Sequence, residues 1–157
     1  MKTLIALIIS LLSFTAASYS QKAAPPVPGN VKEALTRDFP NATDSRWMME
    51  KDSYWVMFDE NGIKRAVKYD KSGKWTEKQT KIEISDLPKE VTSSVDKNIL
   101  GYTTYEAERV EMPNTDIRYN VDVMKGDEYL EIHVATDGKI LSKVKKTTKS
   151  NWGNMSD

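Results

Sequence analysis

The sequence predicts an α+β fold in which a unit of one helix plus an antiparallel sheet occurs twice in tandem, with the helices on one sheet face and the other face open. Three observations predict it: a similarity between two parts of the chain about 60 residues apart, one helical stripe in each part, and period-two alternation after each stripe. The matching positions are Val27-Pro28, Val31, Leu35 and Phe39 with Leu87-Pro88, Val91, Val95 and Ile99; Tyr54, Val56 and Phe58 with Tyr119, Val121 and Val123; and Val67, Tyr69, Gly73 and Lys74 with Ile132, Val134, Gly138 and Lys139.

Residues 1–20 are predicted to be a cleavable export signal. Lys2 gives a positive start, and residues 4–17 form an apolar run that small residues follow. The run is shorter than the ~20 residues that a membrane-spanning helix needs. We place the cut after Ser20, with cuts after Ala17 or Ser18 as alternatives, and an uncleaved membrane anchor as the other interpretation.

The chain contains no cysteine, which excludes a lipid-attachment thiol, a disulfide framework and a thiolate metal site. We therefore expect a soluble periplasmic or secreted protein with no stable membrane insertion, and one domain's worth of sequence after the signal. The formal net charge is zero, which gives no indication of nucleic-acid binding. A short basic cluster near the end is interpreted as part of a solvated tail; it comprises Lys143, Lys145, Lys146 and Lys149.

The elements follow in order. Residues 21–28 form a proline-rich leader, and residues 29–84 form repeat 1, whose helix is expected to begin with a capping box of Asn30 and Glu33. Pro40 should end that helix. Three or four antiparallel strands follow, and Asn61-Gly62 is expected to form a hairpin turn between two of them.

Residues 85–147 form repeat 2, with a helix that ends at Gly101. Alternation predicts strands over 117–123 and 129–134, joined by a turn at 125–127. Residues 148–157 lack periodicity and are predicted to be a flexible tail.

Comparison of the two repeats assigns the sheet faces. Tyr54, Val56 and Phe58 match buried positions of repeat 2, so Trp55 and Met57 should lie on the open face. Large apolar side chains on a polar face are typical of a contact surface. The predicted partner-binding residues are Trp55, Met57, Tyr129, His133, Trp47, Lys68 and Arg118, with the face of Trp47 left open. The alternative is that the other repeat, the leader or the tail with Trp152 covers Trp55 and Met57.

No catalytic constellation is predicted. His133 is the single histidine, there is no G-x-S-x-G motif, and no cluster of His or Cys residues suits a metal. Acidic turns such as 59–62 and 70–73 lack the ligand spacing of a calcium loop. We therefore predict no catalytic residues, no metal site and no cofactor.

The order V-P-x-x-V-x-x-A-L, F-P-N-A-T-D-x-x-W, Y-x-V-x-F, Y-D-x-x-G-K-W and I-x-x-x-D-L-P resembles the PepSY-like family of secreted bacterial proteins, which are described as β-lactamase-inhibitor-like. The residues that carry the resemblance are Val27, Pro28, Val31, Ala34, Leu35, Phe39 to Asp44, Trp47, Tyr54, Val56, Phe58, Tyr69, Asp70, Gly73 to Trp75, Ile82, and Asp86 to Pro88. It covers roughly residues 27–141, and the second half matches more loosely.

The resemblance implies tandem helix-plus-sheet units of the β-lactamase-inhibitor-protein type, whose sheets form a saddle with an open face that grips a partner. It brings no catalytic residues, and the disulfides of the known inhibitors are absent. The sequence thus predicts an exported, non-enzymatic module that binds a protein or peptide of the cell envelope or exterior, and the resemblance implies that this binding is inhibitor-like. A small-ligand or calcium-binding periplasmic protein is the alternative, and a hydrolase is the weakest hypothesis.

Overall fold

The computed structural model describes residues 26–147 and residue 149. The predicted signal peptide, most of the leader and all of the predicted tail except Lys149 lie outside these residues. The elements are α1 (Gly29–Asp38), β1 (Ala42–Glu50), β2 (Ser53–Glu60), β3 (Ile63–Asp70), β4 (Trp75–Ile82), a 3-10 turn (Ile84–Asp86), α2 (Lys89–Asn98), β5 (Thr103–Glu111), β6 (Ile117–Lys125), β7 (Glu128–Ala135) and β8 (Ile140–Lys146).

The predicted fold class, two tandem helix-plus-sheet units, is wrong. All eight strands form one antiparallel sheet in the order β1 to β8, and within the described residues two α-helices of ten residues each accompany it. The decisive pairing joins β4 to β5, from Lys78 opposite Glu111 to Ile82 opposite Ala107. Two separate sheets would each leave an unpaired edge at this point, whereas the pairing satisfies the backbone groups of both strands.

Both helices pack on the same face of this sheet, which we call the helix face. In α1, Val31, Ala34 and Leu35 are buried at a spacing of three to four residues, which places them on one side of the helix. They contact one cluster of strand side chains, which includes Val56 and Phe58. The second helix buries Val91, Val95 and the following Ile99 against β5, β6 and β7.

The predicted capping box of Asn30 and Glu33 is wrong, because the first helix begins two residues earlier than an N-cap at Asn30 requires. Pro28 is the N-cap, and its carbonyl accepts the backbone N–H groups of Val31 and Lys32. Asn30 therefore lies inside the first turn, where its side chain donates to the carbonyl of Lys71 at 2.9 Å. It connects the helix to the β3–β4 turn instead of capping the helix.

The turns follow the sequence prediction. Asn61 and Gly62 join β2 to β3 with φ angles of 56° and 81°, the left-handed backbone of a tight hairpin turn. Gly73 and Gly138 occupy the β3–β4 and β7–β8 turns with φ near +80°, at 81° and 86°. Both glycines also lie directly against a helix backbone, so these turns fix the helices to the sheet.

Candidate functional site

The sheet face opposite the helices, which we call the open face, contains two chemically different halves. Strand register places Met48, Trp55, Met57 and Ala66 next to one another on β1, β2 and β3, and we call this group the apolar half. On β5, β6 and β7 the same face carries a group of four carboxylates. The acidic half consists of Glu106, Glu108, Asn120, Asp122 and Glu131.

The apolar half is a small cluster that is separate from the two helix-face cores. Ala66 is 3% exposed and is covered by the partly buried side chains of Trp55 and Met57. Met48, opposite Trp55 in the register, is 48% exposed. Partial exposure of adjacent Met and Trp side chains leaves apolar area that a partner can bury.

Trp55 is held in a defined orientation by polar contacts. Its indole Nε1 donates to Glu50 Oε2 at 2.9 Å, and Lys68 Nζ donates to the same oxygen at 2.8 Å. The Lys68 ammonium also lies 5.3 Å from the centroid of the Trp55 ring. Both hydrogen bonds lower the pKa of the Glu50 carboxyl, and the one from Lys68 has the larger effect. This arrangement presents the indole as a pre-oriented contact group.

The structure does not bring all the predicted partner-binding residues together. Trp47 lies opposite Val56 and packs in the helix-face core, so it is not part of the open face. Tyr129 and His133 lie on the open face of β7, at the far side of the sheet from Trp55. Arg118 lies between the two groups and pairs with Glu77 on β4 at 3.0 Å.

The acidic half is buried although no helix of the described residues packs over it. Glu108, Asn120 and Asp122 are 1%, 2% and 0% exposed. Basic side chains from neighbouring strands fold onto this group: Lys81 pairs with Glu106 at 2.8 Å, and Lys146 pairs with Asp122. Lys146 therefore does not belong to a solvated tail; its side chain is 8% exposed.

Burial dominates the electrostatics of this half. Desolvation raises the pKa of Asp122 to about 6, although its hydrogen bond with Lys146 acts in the opposite direction. Desolvation likewise raises the pKa of the Tyr105 hydroxyl, and the neighbouring carboxylates, led by that of Asp122, raise it further. Tyr105 also contacts the Tyr129 ring edge-on, with the ring centroids 6.2 Å apart. The two tyrosines thus border the acidic half.

A hydrogen-bond chain that the sequence did not reveal runs through Ser142, His133 and Glu131. Ser142 Oγ lies 2.8 Å from His133 Nδ1, and Glu131 Oε1 lies 2.6 Å from His133 Nε2. The three residue types suit a nucleophile, a base and an orienting carboxylate. Here, however, the contacts follow from register alone, because Ser142 faces His133 across β7–β8 and Glu131 is two residues away on the same face. These two hydrogen bonds hold the His133 imidazole beside the acidic half.

The remaining features of the described residues give no second site. No group of three or more His, Cys, Asp or Glu side chains among them is arranged to hold a metal ion. Two surface cavities of about 510 Å³ lie elsewhere, one lined by residues 62–64, 80–83 and 86 and the other along α2 and Gly138. Neither of the two helices in the described ranges has the length and apolarity to cross a bilayer.

The fold is shared with solved structures of Bacteroides proteins. A DUF2874 family protein of Bacteroides uniformis superimposes with a TM-score of 0.69 at 22% identity, covering 80% of this chain and 94% of that chain. A presumed periplasmic protein of Bacteroides eggerthii gives a TM-score of 0.71 at 22% identity, with the same coverage. A BLIP-like protein of Bacteroides fragilis gives 0.64 at 20% identity, covering 82% of this chain and 93% of that chain.

Comparison at the level of sequence gives no match. No family model and no curated protein matches the chain. The structural similarity therefore supports the fold, and with it the part of the sequence resemblance that concerns a β-lactamase-inhibitor-like architecture: the chain has a BLIP-like fold.

Proposed function

We propose that this protein is an exported, non-enzymatic binding module that recognises a protein or peptide through the open face of its sheet. The observation that carries the proposal is the partly exposed apolar half beside a buried acidic half, on a face that neither helix covers. Folding alone does not require Trp55 and Met57 on this face, because the helix face already contains both large cores.

Family and location belong to the same proposal. The F-P-N-A-T-D-x-x-W string and the other matching motifs support membership of the PepSY-like family, and the apolar start of the chain supports cleavage of a signal peptide after Ser20. Similarity to a presumed periplasmic protein supports export to the periplasm or beyond. A BLIP-like fold supports inhibitor-like binding as the mode of action.

The test is capture of a partner from cell-envelope extract by wild type and by Trp55→Ala. We expect Trp55→Ala to weaken capture about thirtyfold, since truncation of a central interface aromatic costs ~2 kcal/mol. Its melting temperature should stay close to that of wild type, because Trp55 is partly exposed and lies outside both cores. Capture is quantified by titration of the recovered partner against each immobilised variant.

Two variants serve as controls. Leu100→Ala removes a side chain that is 75% exposed away from the open face and should leave capture unchanged. Tyr54→Ala, next to Trp55 but on the helix face, should destabilise the fold by about 3 kcal/mol because Tyr54 is only 9% exposed. Unfolding of Trp55→Ala, or equal capture by Trp55→Ala and wild type, would refute the proposal.

A further inference from the structure

The acidic half and its surroundings contain more negative than positive groups. On the open face of β4 to β8, five carboxylates lie near three permanent cations and one histidine. The carboxylates belong to Glu77, Glu106, Glu108, Asp122 and Glu131, and the cations to Lys81, Arg118 and Lys146. Carboxylates that outnumber the nearby cations give this part of the face a negative electrostatic potential. A positively charged group from a partner would balance this excess.

Two buried side-chain oxygen atoms of β6 lack a hydrogen-bond donor among the described residues. Within the described part of the chain, Oδ1 of Asn120 and Oδ1 of Asp122 have no hydrogen-bond partner. Asn120 is 2% exposed and Asp122 is 0% exposed. Both lie on the same face as the carboxylates, because they alternate along β6 with the helix-face residues Val121 and Val123. A buried acceptor without a donor destabilises a fold, so these two atoms point to a missing donor.

We propose that the acidic half is the subsite for one arginine side chain of a partner polypeptide, whose guanidinium donates hydrogen bonds to Oδ1 of Asn120 and Oδ1 of Asp122. This inference rests on the proposed function, because it names the chemistry that the open face recognises. Asp122 already accepts from Lys146 through its other oxygen, so the guanidinium and Lys146 share one carboxylate.

The spacing of the two acceptors favours arginine over lysine. Residues two apart on a strand have Cα atoms about 6.7 Å apart. One ammonium nitrogen has to reach both oxygens from a single point, whereas a guanidinium spreads five N–H donors over a planar fork. Such a fork can donate separate hydrogen bonds to two acceptors that lie two residues apart on β6.

The apolar half indicates that the arginine belongs to a longer segment. Four strand spacings separate β2 from β6, which is about 19 Å along the sheet. An extended peptide covers that distance in about six residues. A segment with an apolar side chain on Trp55 and Met57, and an arginine about six residues away, would therefore contact both halves.

The experiment uses two synthetic peptides that differ in one group: acetyl-Gly-Arg-Gly-amide, and the same peptide with citrulline, the neutral isostere of arginine. Each is titrated into the ¹⁵N-labelled purified protein while the side-chain amide signal of Asn120 is followed by NMR. We expect saturable shifts with the arginine peptide and at least tenfold weaker binding of the citrulline peptide. Equal binding of the two peptides, or no shift at Asn120, overturns the subsite.

Variants separate the subsite from general charge attraction. When binding is followed by the backbone amide signals of β6, which both variants retain, Asn120→Val and Asp122→Asn should each abolish the tenfold preference for arginine. Asn120→Val should also retain or raise the melting temperature because it removes an unsatisfied acceptor. Asp127→Asn removes the same charge from the exposed β6–β7 turn and should leave the preference intact. If Asn120→Val fails to fold, Asp122→Asn carries the same test.

The failure of this inference is distinguishable from failure of the proposed function. Loss of partner capture in Trp55→Ala, together with unchanged capture in Asn120→Val and Asp122→Asn, would refute the arginine subsite and keep the binding module. If the protein discriminates between the two peptides and its Trp55→Ala variant captures partner normally, the result would refute the binding module and keep the arginine subsite.

Discussion

Asp122 is fully buried on a sheet face that no helix of the described residues covers. Loss of solvent raises its pKa to about 6, against an ordinary value of 3.8. The folded protein therefore holds a proton on Asp122 more tightly than the unfolded chain does. This tighter binding of the proton stabilises the folded protein. The stabilisation is fully present below the ordinary pKa of 3.8 and is lost as the pH rises through about 6.

Asp122→Asn should remove this pH dependence. At pH 4 the variant and wild type should have similar free energies of unfolding, because Asp122 is then mostly protonated in the folded protein. At pH 7 the variant should be more stable by about 2 kcal/mol, since wild type then carries the buried charge. Denaturant unfolding at both pH values measures the difference. An equal shift in Asp127→Asn, whose side chain is exposed, would contradict this explanation.

At the same scale, sequence reasoning identified some residues of the open face and missed others. Alternation placed Trp55 and Tyr54 on opposite faces of β2, because successive side chains on a strand point to opposite faces. Comparison with the second repeat then indicated that Tyr54 is the buried one of the two. It did not separate Ser142 from an ordinary strand residue, since its contact with His133 depends on the register between β7 and β8. Lys146 was missed for the same reason: its partner Asp122 is 24 residues away.

At the scale of elements, turns and strands were the most predictable features. The tight turns at Asn61-Gly62 and at Gly126 were read from residue type, because left-handed backbone angles strongly favour Gly and Asn. The start of α1 was predicted wrongly, since Pro28 and Asn30 both suit a helix N-terminus and only the observed hydrogen bonds distinguish them.

Two turn glycines should respond differently to substitution by alanine. A Cβ at Gly138 would lie 2.6 Å from the carbonyl oxygen of Glu90 in α2, whereas a Cβ at Gly126 would meet nothing within 4 Å. Gly126→Ala should cost ~1 kcal/mol, from its positive φ alone. Gly138→Ala should cost about 3 kcal/mol, because the turn or α2 must also move.

Denaturant unfolding of the two variants checks this difference. Gly73→Ala is a second positive case, because a Cβ there would lie 2.9 Å from the carbonyl oxygen of Asn30 in α1. Equal losses at Gly126 and Gly138 would show that the close approach of turn and helix is unimportant for stability.

At the scale of the whole molecule, the β4–β5 pairing decides how the protein should unfold. It spans five residue pairs, against eight for β2–β3, and two ion pairs reinforce this region by joining Lys81 to Glu106 and Arg118 to Glu77. Separation at this point would expose two sheet edges at once. We therefore expect both ends of the sheet to unfold in one cooperative step.

The distribution of aromatic residues provides the measurement. Trp47, Trp55 and Trp75 all lie in β1 to β4, so in a Trp152→Phe background tryptophan fluorescence reports on that end of the sheet. Far-ultraviolet circular dichroism reports on all eight strands. The two denaturation curves should coincide within error. Separate midpoints would show that β1–β4 and β5–β8 unfold independently.

Residue types and their spacing predicted strands that correspond to β2, β6 and β7, the tight turns between strands and the side chains that share a face on those strands. These properties depend on residue type and on the alternation of Cβ atoms, and both are local. Three features could be found only in the folded protein: β4 pairs with β5, Trp47 joins the helix-face core, and Asn120 and Asp122 are buried among carboxylates. Each of these depends on pairing between segments far apart in the chain, and a period-two pattern specifies a strand's faces without specifying its neighbour.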